Sequence, residues 1–290
     1  MFSGSHVAIV TPFKDGKVDE EAYKSLIEWH IEQGTNGIIT CGTTGESPTL
    51  SHAEHNRVIE LCVKTVNKRV PVMAGTGSNS TVEAISLTEH AANVGADAAL
   101  LVNPYYNKPT QEGIYLHYKA IAEAVSIPQF IYNIPGRTAS QVSTDTITRL
   151  AEIENIAGVK DAVGDLAVTT EIISRCGDDL IILSGDDTLT LPMMALGAKG
   201  VISTTANVAP AKMAKLVKLA TAGDFEAAKR VHYEMADLMR VLFIETNPIP
   251  VKAALAMMGK VTEEIRLPLC PISQMSREKL QSVMKQMELI

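Results

Sequence analysis

The most chemically informative residue of this chain is Lys160, a lysine that ends the apolar run 156–159. Such a position withdraws the amine partly from water, and desolvation favours the neutral form that attacks carbonyl carbons. Tyr132 ends the preceding apolar run, so we expect a phenol able to move protons beside that amine. The pair predicts an amine nucleophile for carbonyl substrates. A lysine whose long stem reaches solvent at a strand end stays an alternative.

Two further segments place polar side chains directly after apolar runs. Residues 42–46, Gly-Thr-Thr-Gly-Glu, contain glycines that allow a tight backbone approach, and their hydroxyl and N–H groups suit a carboxylate. Tyr105 and Tyr106 are adjacent phenols in a chain with only 4% aromatic residues, so we do not expect both to lie in the core. A hydrogen-bonded turn and packing at the rim are the structural alternatives.

The elements that must position these groups alternate regularly. Short β-branched runs recur along the chain with amphipathic helical patterns, such as 20–32 and 112–125, between them. The runs are 6–10, 37–41, 70–74, 98–102, 129–132, 156–160, 180–184 and 200–204. Eight such units predict a closed (β/α)8 barrel, the TIM barrel, with functional residues at the carboxyl ends of its strands.

Helix starts and the end of the chain refine this prediction. Ser51 with Glu54, and Ser80 with Glu83, fit the capping box that opens a helix after a strand. Beyond residue 223 we predict helices only, over 224–243, 250–258 and 277–289. We therefore expect a barrel over 1–223 and a small helical region over 224–290 that packs on it.

Composition excludes several classes of partner. The chain has 26 Lys and Arg against 33 Asp and Glu, a net charge of −7, so we expect neither nucleic acid nor an anionic membrane as a partner.

The four cysteines of the chain lack C-x-x-C spacing, which predicts reduced thiols in a cytoplasm. No apolar run approaches a membrane span, and no leader peptide is evident. His52 and His55 lie three apart but lack further ligands, so no metal site is predicted.

With these residues in view, the chain resembles the pyruvate-dependent class I aldolases and lyases, the N-acetylneuraminate lyase family. The resemblance is carried by 42–46, by 132–135 (Tyr-Asn-Ile-Pro) and by Lys160, and it extends from Phe2 through 247–250 (Asn-Pro-Ile-Pro) to the C-terminal helix. It implies a homo-oligomer, a dimer of dimers, that needs no organic cofactor.

The resemblance also implies a reaction. Lys160 would condense with the ketone of pyruvate, and the resulting enamine would attack the aldehyde of L-aspartate 4-semialdehyde, in lysine and diaminopimelate biosynthesis. Thr43, Tyr132 and Tyr106 match the proton relay of the family, with Tyr106 reaching in from a neighbouring subunit. Cyclisation would then release Lys160 from the product.

Further positions match the substrate-binding residues of the family. Thr44 and the backbone at Ile202 match the positions that bind pyruvate. Arg137 suits the carboxylate of the semialdehyde, because its planar guanidinium can donate two parallel hydrogen bonds. Gly185 and Asn247 are further candidates at the same rim.

A second set of residues coincides with positions that bind the inhibitor L-lysine in family members from Gram-negative bacteria and plants. The set is Ser47, His52, His55, Asn79, Glu83 and Tyr105. Pro48 departs from the pattern, in which a small residue such as alanine is usual. The resemblance implies feedback inhibition by L-lysine.

Two other functions stay open at this point. A sister aldolase would share pyruvate and Lys160 but act on a sugar-derived 2-keto acid, and Arg137 and the segment 105–107 favour the shorter aldehyde. A sensor would bind a keto acid or lysine without turnover. It would have no use for an amine flanked by phenols, which speaks against this second alternative.

Overall fold

The structure is a computed structural model that describes residues 2–290, so Met1 of the predicted barrel segment lies outside the described residues. Within them, eight parallel strands close into a barrel and follow chain order around the ring. The barrel strands are β1 (Gly4–Ala8), β4 (Gly37–Thr40), β5 (Val72–Gly75), β6 (Ala98–Val102), β7 (Gln129–Asn133), β8 (Ile156–Asp161), β9 (Ile181–Ser184) and β10 (Gly200–Ser203). Two short strands, β2 (Phe13–Lys14) and β3 (Lys17–Val18), lie outside the barrel. The predicted (β/α)8 barrel is confirmed, while the antiparallel hairpin of β2 and β3 was not predicted.

Helices surround the barrel and contribute buried apolar side chains to the core outside its strands. They are α1 (Glu20–Glu32), α2 (His52–Val66), α3 (Thr81–Asn93), α4 (Gln111–Ala124), α5 (Pro135–Thr138), α6 (Thr144–Ala151), α7 (Leu166–Cys176), α8 (Thr190–Leu196), α9 (Pro210–Thr221), α10 (Phe225–Val241), α11 (Ile249–Met257) and α12 (Gln274–Gln286). No helix in residues 2–290 is both long and apolar enough to cross a membrane.

The two predicted capping boxes have different outcomes. Ser51 caps α2, and Glu54 completes the box by accepting from the Ser51 backbone, as predicted. The prediction for Ser80 is wrong, because its side chain makes no capping hydrogen bond at α3. Glu83 instead accepts hydrogen bonds from Ser78 and His52, which draw its carboxylate away from the helix start.

The barrel interior is apolar and closed toward the amino ends of its strands. Phe2 precedes β1 and contacts Phe130 edge-on, with the ring centroids 5.2 Å apart. Ile39, Met73 and Leu183 fill the space beside them. Because parallel strands direct their carboxyl ends to one face, the polar residues that follow the strands gather at the opposite mouth.

The C-terminal helices pack against this barrel. Leu238 of α10, Leu255 of α11 and Met284 of α12 are fully buried and belong to one apolar cluster with Val7 and Val58. The chain from 224 onward is helical in the described residues, with irregular connections. The division into a barrel over 1–223 and a helical region over 224–290 stays a prediction.

Candidate active site

Lys160 and Tyr132 lie side by side at the carboxyl ends of β8 and β7. The strand register pairs the two residues, so both side chains enter the barrel from neighbouring strands. Each residue is only 6% exposed, and the Lys160 Nζ lies 4.0 Å from the centroid of the Tyr132 ring. The ring of Tyr132 therefore packs against the amine that β8 brings to the barrel mouth.

Gly185, directly after β9, lies against the side chain of Lys160. A Cβ atom at this position would lie 3.1 Å from the Cε atom of Lys160 and 2.7 Å from the Cβ atom of Ala162. Any larger residue would displace the stem that carries the amine. Gly185 therefore shapes the space around Lys160 without offering a side chain of its own.

Thr44 is held in the turn that follows β4. It is 2% exposed, and the side-chain amide of Asn247 donates a hydrogen bond of 2.9 Å to its Oγ1 atom. The Oγ1 atom of Thr204 lies 3.5 Å from the same oxygen. Because Asn247 donates to Thr44, the hydroxyl hydrogen of Thr44 stays available for Thr204 or for a bound carboxylate. Thr43 is half-buried beside it.

The backbone at Ile202 belongs to β10, and a buried carboxylate holds the turn that follows it. The Oδ2 atom of Asp187 accepts hydrogen bonds from the amides of Thr204 (3.1 Å) and Thr205 (2.8 Å) and from the Thr205 hydroxyl (2.7 Å). Burial raises the pKa of Asp187 above its ordinary value. Sequence reasoning missed Asp187 and Thr204, because no local pattern shows that the two turns meet.

Arg137 lies on the single-turn helix α5, directly after β7. Its Nη2 atom donates a hydrogen bond of 3.3 Å to the carbonyl oxygen of Asn247. The segment after β7 is tied back to it, because the Asn133 side chain exchanges two hydrogen bonds with the backbone of Val142. A guanidinium has five N–H donors, so Arg137 keeps donors free for a carboxylate at the mouth.

A cavity of about 360 Å³ lies at the mouth of the barrel and is lined by some of these groups, whereas Lys160, Thr44 and Gly185 do not line it. Thr43, Tyr132 and Arg137 line it, and Cys41 and Gly42 form the adjoining wall. A volume of this size suits a small organic molecule. The same cavity is lined by five of the six residues predicted to bind the inhibitor, namely Ser47, His52, His55, Glu83 and Tyr105.

Glu83 supplies the negative charge among those residues. Its Oε1 atom lies 2.8 Å from the Nε2 atom of His52, and its Oε2 atom accepts a hydrogen bond from the Ser78 hydroxyl. The Ser78 hydrogen bond, followed by the contact with His52, lowers the pKa of Glu83 below its ordinary value. Glu83 is therefore an anion that can attract the amine of a ligand.

His55 offers an unpartnered acceptor in the same region. Its Nε2 atom lies 2.9 Å from the carbonyl oxygen of Gly75, which can only accept, so Nε2 carries the hydrogen. Burial lowers the pKa of His55 to about 4, which keeps the ring neutral. Its Nδ1 atom is buried and has no hydrogen-bond partner among residues 2–290. This acceptor is therefore left unsatisfied within the described residues.

The loop after β6 carries the two tyrosines. Tyr105 is 39% exposed, and its carbonyl oxygen accepts a hydrogen bond of 3.2 Å from the side-chain amide of Asn79, the sixth predicted inhibitor residue. Tyr106 is 89% exposed and has a φ of 71°, in the left-handed region. It does not belong to the lining of the cavity. A single chain therefore does not bring Tyr106 to Lys160.

A cavity at the carboxyl ends of the strands, with a buried lysine on β8, places the chain among the (β/α)8-barrel proteins that carry their sites at this face. Residues 1–287 match the model of the dihydrodipicolinate synthetase family. The chain belongs to this family, and it is an enzyme of the lyase class.

Individual relatives cover the whole chain. The chain is 58% identical over 290 residues to the 4-hydroxy-tetrahydrodipicolinate synthase of Thermodesulfovibrio yellowstonii, with 100% of both chains covered. It resembles the chloride-inhibited dihydrodipicolinate synthase of Acinetobacter baumannii, solved in complex with pyruvate, with a TM-score of 0.98, 52% identity and 100% of both chains covered. The enzyme of Cyanidioschyzon merolae, solved with lysine bound, has a TM-score of 0.97 and 39% identity over 100% of this chain and 99% of its own.

Proposed function

We propose that this chain condenses pyruvate with L-aspartate 4-semialdehyde to give 4-hydroxy-tetrahydrodipicolinate, a step of lysine and diaminopimelate biosynthesis. The observation that carries the proposal is the buried Lys160 amine, 4.0 Å from the centre of the Tyr132 ring at the barrel mouth. The relative from Thermodesulfovibrio yellowstonii bears the name of this activity, and another relative was solved with pyruvate.

The chemistry begins with attack of the Lys160 amine on the ketone carbon of pyruvate. The carbinolamine loses water to give an iminium ion, and loss of a proton from the pyruvate methyl group gives an enamine. The enamine carbon forms a bond to the aldehyde carbon of the semialdehyde, whose oxygen takes up a proton. The amino group of the semialdehyde then attacks the iminium carbon and expels Lys160, which closes the ring and restores the enzyme.

Residues around Lys160 would move the protons and bind the carboxylates. Tyr132 is nearest to the amine and, with Thr43, would carry protons to and from the carbinolamine. Thr44 and the backbone at Ile202 would bind the carboxylate of pyruvate, because the Thr44 hydroxyl keeps its hydrogen available. Gly185 would leave room for the imine, and Asn247 would orient Thr44.

Arg137 would bind the carboxylate of the second substrate. It lines the cavity together with Tyr132, and a planar guanidinium can donate two parallel hydrogen bonds to one carboxylate. This contact would favour a short aldehyde with a carboxylate over a sugar-derived 2-keto acid. Both activities would need the Lys160 amine, so the choice between the two second substrates would depend on Arg137.

Tyr106 would complete the proton relay from a second copy of the chain in a dimer of dimers. It is 89% exposed with a φ of 71°, and it stands outside the cavity of its own chain. A large aromatic residue held in the left-handed region and turned to solvent is suited to a role in a neighbouring subunit. Association would then be needed for full activity.

L-lysine would inhibit the enzyme at the residues around Glu83. The anionic Glu83 would attract one amine of lysine, and the free Nδ1 atom of His55 would accept from it. Asn79 and Tyr105 would receive the carboxylate, with Ser47 and His52 at the border. The relative solved with lysine bound supports an effector of this kind, and Pro48 is one of the residues that line the cavity.

The compartment is proposed to be the cytoplasm. Cys41, Cys62 and Cys176 are buried as free thiols, and Cys270 is exposed and also free. Free thiols persist in a reducing compartment.

A coupled assay tests the proposed reaction. The purified chain is mixed with pyruvate and L-aspartate 4-semialdehyde, and a reductase that consumes the cyclic product reports turnover. We expect saturable dependence on both substrates. Cleavage of a sugar-derived 2-keto acid at a higher kcat/KM would identify the sister aldolase instead, and binding of pyruvate without any turnover would identify a sensor.

A further inference from the structure

Glu46, the last residue of the turn that carries Thr43 and Thr44, forms a buried ion pair with Lys252 of α11. The Nζ atom of Lys252 lies 2.5 Å from the Oε1 atom of Glu46, and each side chain is only 1% exposed. Glu46 has a φ of 54°, a left-handed conformation that is uncommon for a residue with a side chain. The end of the turn is therefore held against its local preference by a contact 206 residues away in the chain.

The surroundings of this pair satisfy both of its charges. The Oε2 atom of Glu46 accepts a hydrogen bond of 3.1 Å from the backbone amide of Arg266. The centroid of the Phe13 ring lies 4.2 Å from the Nζ atom of Lys252 and 4.2 Å from the guanidinium carbon of Arg266. Arg266 in turn is paired with Glu54 at 2.6 Å. Burial lowers the pKa of Lys252, and the Glu46 carboxylate opposes that shift.

A buried ion pair is not an efficient way to stabilise a fold. Desolvation of two charges offsets most of their attraction, and apolar residues of similar size often stabilise a core as well or better. An ion pair does, however, fix the direction and distance of the two groups that it joins. A role in setting the geometry of the turn therefore explains the pair better than a role in stability.

The position of the pair relative to Thr44 also supports a role in setting the geometry of the turn. Asn247 donates to the Oγ1 atom of Thr44 at 2.9 Å, and Lys252 follows five residues later in the chain. One C-terminal segment thus holds the turn at two points, once at Thr44 and once at Glu46. Thr43 lines the cavity at the barrel mouth together with Tyr132, whose ring lies against the Lys160 amine.

We propose that Glu46 and Lys252 are positioning residues, whose buried ion pair holds the Thr43 and Thr44 hydroxyls in the geometry needed to bind pyruvate and form its imine with Lys160. This inference rests on the proposed function. It assigns a task in the active site to the C-terminal helices, which lie outside the eight strand and helix units of the barrel.

The test compares four variants with the parent protein. Glu46→Gln and Lys252→Met each break the pair, and the double variant removes both charges so that neither is left buried alone. Lys260→Met is the matched control, because Lys260 follows α11 and lies 3.8 Å from the ring of Trp29 in α1, away from the turn. Each protein is treated with borohydride across a range of pyruvate concentrations, and the reduced adduct on Lys160 is quantified by mass spectrometry. Urea unfolding is measured in parallel.

In both single variants, we expect the pyruvate concentration for half-maximal trapping to rise roughly tenfold to hundredfold. A small displacement of groups in an active site has an effect of about this size. The double variant should regain most of the resistance to urea yet keep the raised pyruvate requirement. Lys260→Met should trap pyruvate like the parent.

Two results separate failure of this inference from failure of the proposed function. A parent protein that forms no adduct on Lys160 would refute the proposed reaction, and this inference with it. A parent that forms the adduct, with single and double variants that trap pyruvate within twofold of it, would overturn the inference alone. Recovery of trapping and of urea resistance together in the double variant would also overturn it, because the pair would then serve stability only.

Discussion

Two groups of candidate residues differ sharply in how completely one chain encloses them. Lys160, Tyr132 and Thr44, the strand-end group, are between 2% and 6% exposed. The loop group is more exposed. It contains Tyr106, which is 89% exposed, and His52 and Glu83, whose side chains are 72% and 36% exposed. The first group is fixed by strand register and by buried hydrogen bonds. The second is carried by a loop and by the first turns of helices.

We infer from this difference that one chain would suffice for the first step of the proposed reaction and that later steps would need a second copy. Strand register positions the amine and the ring of Tyr132 within one chain, so under the proposed function the pyruvate imine should form without a partner subunit. In the proposed function, proton transfer through Tyr106 and the response to lysine would depend on a loop that a neighbouring subunit would cover. Changes to the strand-end group should therefore abolish chemistry, and changes to the loop group should modulate it.

Removal of the strand-end amine has the largest expected effect. Lys160→Ala should lower turnover by roughly 10⁴-fold or more, the scale found when a covalent nucleophile is lost. Steady-state rates in the coupled assay measure it, with circular dichroism as the check on folding. Lys199→Ala is the control, because Lys199 is an exposed lysine that precedes β10 at the opposite end of a strand. Turnover of Lys160→Ala at the parent rate would contradict the assignment.

Mixing of two inactive variants tests whether the loop group acts between subunits. Tyr106→Phe should lose roughly 10²-fold in turnover, the contribution of a positioned proton-transfer group. Random exchange with Lys160→Ala subunits should restore up to about a quarter of the parent activity, since half of the sites in hybrid dimers contain both residues. Subunit exchange is verified by native mass spectrometry. Exchange without any recovery would show that the site is not shared.

The guanidinium at the cavity wall should affect the second substrate selectively. Arg137→Ala is expected to raise the KM for the semialdehyde roughly tenfold to hundredfold, because a charge-assisted hydrogen-bond pair is lost. The KM for pyruvate should stay within about threefold of the parent value. Arg149→Ala, an exposed arginine paired with Glu112, serves as the control. Equal increases in both KM values would indicate that Arg137 only supports the loop.

Feedback by lysine is the smallest of the expected effects. L-lysine should inhibit without competing with pyruvate, through a coupling free energy of about 1 to 3 kcal/mol. Glu83→Ala should weaken this inhibition and leave the uninhibited rate within about threefold, whereas Glu89→Ala, an exposed glutamate on the same helix, should change neither. Rates are measured over a matrix of lysine and pyruvate concentrations. Direct competition with pyruvate, or full inhibition of Glu83→Ala, would contradict the proposed site.

Periodicity in the sequence predicted the strands and the pairing of Lys160 with Tyr132, because both follow from local apolar runs and from the parallel order of the barrel. The capping box at Ser51 was predictable for the same reason, since its two partners are three residues apart. The box at Ser80 failed although its pattern is identical. There, Ser78 and His52 compete for the Glu83 carboxylate, and His52 belongs to another helix.

Contacts between distant segments could not be predicted from the sequence pattern. Glu46 was part of a recognised motif, yet nothing local indicates that Lys252 will be its partner, 206 residues away. Asp187 likewise has no distinguishing neighbours, and its role appears only when the turn after β10 meets it. The hairpin over 13–18 was missed because its strands are two residues each, although Asp15 and Gly16 form a favourable turn.

The most direct test of the account is the identity of the lysine that forms the imine. Protein incubated with pyruvate is reduced with borohydride, which converts the imine to a stable secondary amine, and is digested for peptide mass spectrometry. The account predicts one reduced pyruvate per chain, on the peptide that contains Lys160 and on that residue. An adduct on any other lysine, or no adduct in folded protein at saturating pyruvate, would contradict it.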